Sequence, residues 1–200
     1  MHPKEFRHQK CTTGRLTCLN LANSEIVPGI DFGNDVRVRA LTDDPSNYPV
    51  LLYPGEGARP VGDAGLTSAL GTRRLVVFLV DATWHCSRTV VRYNPLLLRL
   101  PRLAIQPTSP SRFVIKRQPA AGCLSTIEAV HELLLSLDAV GLDTYTDTGR
   151  LLAAFHAMQD FQLQQIRNSP RWAARAVRGP RVGAGRGAAP SSAAARVFPL

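Results

Sequence analysis

The sequence predicts an α/β fold, a mostly parallel sheet with helices on both faces, from two features. Residues 75–80 are six consecutive apolar residues rich in β-branched types, which is typical of a strand buried on both faces of a parallel sheet. Strand-like segments alternate with segments of helical periodicity, of which residues 148–166 form the longest, with apolar side chains at core-like spacing.

Short elements are predicted before this strand. They are, in order, a strand at 16–21 after the turn signal Thr12-Thr13-Gly14, a strand or a short helix at 35–41, a buried strand at 49–53 and a helical turn at 64–71. Pro54 and Gly55 end the strand at 49–53, because these residues break a strand and favour a loop.

Longer helices are predicted after the strand. A helix from residue 84 to residue 93 is closed by Asn94-Pro95, and two short strands are predicted at 101–105 and 113–115. Ser125 and Glu128 have the spacing of a capping box, which predicts that a helix begins there and runs to about residue 139.

Composition limits the class of protein. The 200 residues fit one domain with a sizeable core. No apolar run approaches the roughly 20 residues that span a bilayer, and no secretory signal follows Met1, so we expect a cytoplasmic protein without a membrane partner. The four cysteines form no Cys-x-x-Cys pair and no His pair has zinc-finger spacing, so we expect neither a disulfide framework nor a metal.

The net charge of +9 is concentrated near the C-terminus. From residue 161 onward there are seven Arg and no Lys, Asp or Glu, which leaves 17 basic against 15 acidic residues before it. We therefore expect a folded domain at 1–168 and a disordered tail at 169–200 rich in Arg, Ala, Gly and Pro. The tail either attracts a polyanion such as RNA or reflects the codon composition of a GC-rich genome.

A candidate site follows the strand at 75–80. Asp81, Thr83 and Trp84 come directly after it, and the carboxyl ends of parallel strands are where α/β sheets place their chemistry. The alternative is that Asp81 or Thr83 only caps the next helix by accepting backbone N–H bonds. Trp84 either stacks on a base or fills the core at the start of that helix.

Basic residues recur through the first two thirds of the chain. Arg88 and Arg92 lie one turn apart on the predicted helix and share a face, which is either solvated or suited to phosphate contacts. Arg112 and Lys116 bracket the predicted strand at 113–115. Arg15 follows the Thr-Gly turn, where it is a solvated turn residue, a partner for a carboxylate or a ligand contact.

Five short motifs occur in an order that resembles the DTW-domain family. The motifs are Thr13-Gly14-Arg15, Leu52-Tyr53-Pro54-Gly55, Asp81-x-Thr83-Trp84, Pro110-Ser111-Arg112-Phe113 and Ser125-Thr126-Ile127-Glu128-Ala129. The resemblance covers roughly residues 2 to 165. Many members also carry a cysteine-rich segment before the Thr-Gly-Arg element, which this sequence does not contain.

The resemblance implies a fold and an activity. The family is similar to SPOUT-like proteins, which implies a deep trefoil knot between about residues 75 and 136, an exception to the rule that chains are unknotted. It also implies transfer of the 3-amino-3-carboxypropyl group of S-adenosylmethionine to N3 of a uridine in tRNA, with release of methylthioadenosine. The alternatives are a SPOUT-like RNA methyltransferase and a non-catalytic RNA-binding protein. A monomer is slightly favoured.

The resemblance also assigns roles to residues. Asp81 and Thr83 are the catalytic candidates, and Asp81 acts either as the base for uridine N3 or as an electrostatic partner of the cationic donor. The candidate cofactor-binding residues are Tyr53, Pro54, Gly55, Asp81, Trp84, Leu124, Ser125 and Thr126. The candidate contacts to RNA phosphates are Arg15, Arg88, Arg92, Arg112 and Lys116.

Overall fold

A computed structural model describes residues 1–116 and 122–169 and forms an α/β structure there. Its elements, in chain order, are α1 (Pro3–His8), α2 (Thr13–Asn20), α3 (Val36–Thr42), β1 (Asn47–Leu52), β2 (Arg59–Pro60), α4 (Ala64–Leu70), β3 (Arg74–Leu79), α5 (Trp84–Tyr93), α6 (Pro95–Arg99), β4 (Arg102–Ala104), α7 (Thr126–Ala139) and α8 (Arg150–Asn168).

The four strands form one parallel sheet in the order β2-β4-β1-β3. β1 and β3 are paired over six residues, from Asn47 opposite Arg74 to Leu52 opposite Leu79. The other pairings are short, because β4 meets β1 over two residues and β2 over two. The predicted parallel sheet is confirmed, and β1 lies inside it.

Helices cover both faces of the sheet, as two neighbouring residues of β1 demonstrate. Successive side chains of a strand point to opposite faces. Leu51 packs with Val38 of α3 and Val91 of α5 on one face. Val50 packs with Leu66 of α4 and with side chains of α7 on the other.

A third apolar cluster joins the last two helices. Ile127 and Val130 of α7 pack there with Leu151, Phe155 and Met158 of α8. The cluster lies beside the start of α7, so α8 supports the part of α7 that reaches the carboxyl end of the sheet. Met158 belongs to the core, as its helical spacing predicts.

The strand predicted at 16–21 is wrong, because residues 16–20 belong to helix α2 and Leu21 is its C-cap. The signal taken as a turn is the start of that helix, where the Thr12 side chain accepts a hydrogen bond from the Arg15 N–H at 3.2 Å. α2 then packs against α7 and α8. At residues 35–41 the helix alternative is correct, since Asp35 caps α3 by accepting from the N–H groups of Arg37 and Val38.

The apolar strand at the centre of the sequence is not central in the sheet. β3 pairs only with β1 among the described residues, and its side chains from Leu75 to Leu79 are half-buried rather than fully buried. Phe78 contributes to the core on one face and Val77 on the other, so both faces are covered while the outer edge borders a groove of about 1010 Å³. An apolar run therefore indicates that both faces of a strand are covered, but it does not indicate where the strand lies in the sheet.

The chain after β4 also differs from the sequence prediction. Residues 113–115 form no strand, and the backbone N–H of Val114 is bound by the Gln159 side chain instead, at 2.8 Å.

Pro95 closes α5 as predicted, but it also begins the short helix α6.

Two predictions concern the remainder of the chain. Residues 170–200, which hold most of the predicted tail, lie outside the described residues. Within the described residues, none of the helices combines the length and the apolar character needed to cross a bilayer.

Candidate active site

A cavity of about 600 Å³ lies at the carboxyl ends of three neighbouring strands. Leu52, Leu79 and Ala104 are the last residues of β1, β3 and β4, and all three line it. Ligands of parallel α/β sheets bind at this end of the strands, and the volume suits a small-molecule ligand.

Asp81 enters the cavity two residues after β3 and is fixed by the first residue of α7. The Thr126 hydroxyl donates a hydrogen bond to Asp81 Oδ1 at 2.6 Å. The backbone around Asp81 is also held, because the His2 N–H donates to the Asp81 carbonyl at 3.0 Å. Burial lowers the pKa of the Met1 amino group, and the nearby charge of Asp81 partly opposes that shift.

Gly14 explains how α2 comes so close to this carboxylate. A Cβ atom built on Gly14 would lie 2.3 Å from Asp81 Oδ2, well inside the contact distance of any carbon and oxygen. Only glycine therefore allows the backbone of α2 to lie against Asp81. Gly14, Asp81 and Thr126 are far apart in the sequence and meet at one point.

Thr83 and Trp84 lie at the start of α5. The Thr83 hydroxyl accepts a hydrogen bond from the Cys86 N–H at 3.4 Å, so Thr83 is the helix cap, while its side chain also lines the cavity. Of the two cap candidates, Thr83 is therefore the residue that caps α5, and Asp81 lines the cavity. Trp84 is the first residue of α5, and the predicted contact of its side chain with a base lies outside what the structure describes.

A buried carboxylate joins the start of α7 to the segment before it. Glu128 accepts hydrogen bonds from the Ser125 N–H at 2.9 Å and from the Ser125 hydroxyl at 2.6 Å. It also accepts from the Ser111 hydroxyl at 2.8 Å and from the Arg112 N–H at 2.6 Å. The predicted capping box is present, and the same carboxylate binds a second segment that the sequence did not connect with it.

Residues 111–116 form a segment that we call the strap, which crosses the cavity wall. Phe113 packs edge-on against Phe155 of α8 with ring centroids 5.3 Å apart, and Gln159 of α8 binds the Val114 N–H. Phe113 and Lys116 of the strap line the cavity, and the Lys116 ammonium lies 6.0 Å from the centroid of the Phe113 ring. The strap is thus irregular in backbone but fixed by side chains of α7 and α8.

The structure brings most predicted cofactor-binding residues together. The ones that line the cavity are Tyr53, Pro54, Leu124, Ser125 and Thr126, together with Asp81. Gly55 does not line it; its φ is +142°, and a Cβ built there would lie 3.5 Å from Arg102 Nη1. Gly55 therefore shapes the loop after β1 rather than the cavity wall.

The predicted RNA-binding residues do not form one cluster. Arg15 joins α1 to α2, because its guanidinium lies 4.3 Å from the Phe6 ring centroid and donates to the Phe6 carbonyl at 2.7 Å. Arg88 and Arg92 are exposed on α5, and Arg112 is exposed on the strap. Lys116 is the one member of the set that lines the cavity.

Several cavity residues were missed by the sequence reasoning. Thr12, Thr13 and Phe113 line the cavity through elements that the sequence assigned to a turn or a strand. The helix-capping preference of Thr12 was the available signal for α2. No local signal identifies Gln159, because its partner Val114 lies 45 residues away.

Comparison with known proteins identifies relatives of the chain. A family model described as "DTW domain" matches residues 1–163. The chain is 30% identical over 176 residues to tRNA-uridine aminocarboxypropyltransferase 2 of Mus musculus, covering 86% of this chain and 57% of that protein. It is 29% identical over 172 residues to the protein of that name from Macaca fascicularis, covering 84% and 56%.

A protein of the same name from Drosophila melanogaster is 29% identical over 106 residues, covering 53% of this chain and 40% of that protein. The chain thus spans roughly half the length of these relatives. No solved structure matches it significantly.

The contact between Gly14 and Asp81 is testable by a double-mutant cycle. Gly14→Ala should lower the free energy of unfolding by about 1 to 3 kcal/mol, because the added methyl overpacks against the carboxylate. In an Asp81→Ala background the same change should cost little, since the opposing atoms are gone. Urea unfolding of the four proteins gives the coupling energy.

Gly149→Ala is the matched control, because no atom lies within 4 Å of a Cβ built there. Because Gly149 is the N-cap of α8, its replacement should cost a small amount, and that cost should be the same with and without the Asp81 side chain. An equal cost of Gly14→Ala in both backgrounds would contradict the close approach of α2 to Asp81.

Proposed function

This chain belongs to the DTW domain family, and we propose on that premise that it transfers the 3-amino-3-carboxypropyl group of S-adenosylmethionine to N3 of a uridine in tRNA, with release of methylthioadenosine. The names of the relatives support the transfer and the tRNA substrate. The observation that carries the proposal is that Asp81 and Thr126 meet in one cavity at the carboxyl end of the sheet, where Gly14 lets α2 lie against Asp81.

The residues of the cavity fit such a donor. Apolar walls from Leu52, Leu103 and Ile105 suit a purine base, and Asp81 and Lys116 supply charges of both signs for a cationic and zwitterionic arm. When it is bound, the donor supplies a sulfonium, which is a good leaving group. The tasks left to the protein are to position two substrates, to exclude water and to accept one proton.

Asp81 is the residue that we assign to the proton. Its carboxylate accepts the N3–H proton of the uridine as the N3–carbon bond forms, while the carbon–sulfur electron pair stays on sulfur and leaves as methylthioadenosine. Thr126 fixes the orientation of the carboxylate through Oδ1, and Gly14 confines it from the side of α2. The proton then passes to solvent, so no covalent enzyme intermediate is needed.

The outer surface would hold the RNA. Arg88 and Arg92 are exposed one turn apart on α5. This helix begins directly after its cap residue Thr83. Arginine side chains in such an arrangement bind phosphates and orient the RNA without reading its sequence. Arg112 and the tail at 169–200 would extend this contact, and Thr83 would act at the entry to the cavity.

We extend the proposal to the finer features of the molecule. The family resemblance supports a SPOUT-like fold with a trefoil knot between about residues 75 and 136, in a transferase domain at 1–168. We further propose that the domain acts as a monomer in the cytoplasm without a metal.

The reaction type is tested by its product. The purified chain with S-adenosylmethionine and unmodified tRNA should release methylthioadenosine and add the aminocarboxypropyl group to a uridine. Chromatography of the small-molecule product is the measurement. Release of S-adenosylhomocysteine would identify a methyltransferase instead, and binding of tRNA with no turnover would identify a non-catalytic RNA-binding protein.

The role of Asp81 is tested by Asp81→Asn. Because a positioned base typically contributes about 100- to 10,000-fold, the single-turnover rate should fall within that range while donor affinity is largely kept. Calorimetry and rapid-quench assays measure the two quantities on one variant. Loss of donor affinity along with rate would assign Asp81 to holding the cationic donor, and a rate near that of the wild type would remove it from the mechanism.

A further inference from the structure

The cavity holds two charged side chains of opposite sign. Among its described lining residues, Asp81 is the anion and Lys116 is the cation. The other lining side chains are apolar or carry neutral hydroxyl groups. The Lys116 side chain is exposed to solvent, and a ligand bound in the cavity would displace part of the water that screens its charge.

The structure fixes the backbone of the strap as far as Val114, two residues before Lys116. The strap is bound by Glu128 at Arg112, by Gln159 at Val114 and by Phe155 at Phe113. A side chain presented by a fixed backbone loses less conformational freedom when it binds a ligand. Two helices thus anchor the segment that leads to Lys116 at the cavity.

Lys116 differs in this respect from the other basic residues predicted to contact RNA. Arg15 is engaged with Phe6 on α1, and Arg88 and Arg92 lie on the exposed surface of α5. None of these three lines the cavity, whereas Lys116 does. Of the basic residues predicted to contact RNA phosphates, Lys116 is therefore the one that can also reach a ligand inside the cavity.

We propose that Lys116 binds the carboxylate of the group being transferred and thereby selects a donor with an intact amino acid end. This inference rests on the proposed function, since it names the part of the donor that Lys116 contacts. A carboxylate is the anionic group of that donor, and an ammonium on the cavity wall is its natural partner. Lys116 is then a specificity-determining residue, while Asp81 remains free to act on the uridine.

The proposal predicts a preference between two donors that differ in one group. S-adenosylmethionine carries the carboxylate, and its decarboxylated form does not. A charge-assisted contact at a partly exposed site corresponds to about a tenfold difference in affinity. Methylthioadenosine lacks the whole amino acid end, so its affinity should not depend on Lys116.

Calorimetry without RNA tests this preference on the full chain. The wild type should bind S-adenosylmethionine about tenfold more tightly than its decarboxylated form. Lys116→Gln should lose the preference, Lys116→Arg should keep most of it, and both should bind methylthioadenosine as the wild type does. Arg99→Gln is the control of equal charge change, because Arg99 is exposed on α6 and does not line the cavity.

Other outcomes would overturn the inference. A Lys116→Gln protein that still prefers the intact donor would remove Lys116 from the donor site, and a loss confined to salt-dependent tRNA affinity would assign it to a phosphate. A wild type that binds both donors equally would contradict the inference alone. A wild type that binds neither donor would overturn the proposed function as well.

Discussion

The site depends on the buried carboxylate of Glu128. It accepts four hydrogen bonds, two from Ser125 at the start of α7 and two from Ser111 and Arg112 of the strap. Burying a carboxylate costs free energy unless its oxygens accept hydrogen bonds. Here each donor is itself a polar group that would otherwise need another hydrogen-bond acceptor. The start of α7 and the strap are therefore held as one unit, and this unit contributes both Thr126 and Lys116 to the cavity lining.

Three contacts then complete the arrangement around Asp81. The pairing of β1 with β3 brings the end of β3 to the same edge of the sheet as Tyr53. Thr126 binds the Asp81 carboxylate, and the absence of a side chain at Gly14 lets α2 close against it. The family motifs lie far apart in the chain and meet here, which gives a physical reason for a glycine in the Thr-Gly-Arg element.

The sequence predicted correctly those elements that are determined by residues close together in the chain. The strand before Pro54, the capping box at Ser125 and the position of Asp81 after an apolar strand were all correct. The errors arose where tertiary contacts decide. Residues 16–20 are helical in α2, which packs on α7 and α8. The edge position of β3 could not be predicted, because no pattern within one strand indicates which strands lie beside it. The hydrogen bonds of Glu128 to the strap were invisible for the same reason, since they join residues 16 and 17 positions apart.

The central claim is that this cavity serves transfer of an aminocarboxypropyl group to uridine in tRNA. Mass spectrometry of tRNA nucleosides from a strain that lacks the protein tests it most directly. We predict that uridine carrying the aminocarboxypropyl group on N3 is lost in that strain and returns when the wild-type gene is restored. An unchanged set of modified nucleosides in the deletion strain would contradict the claim.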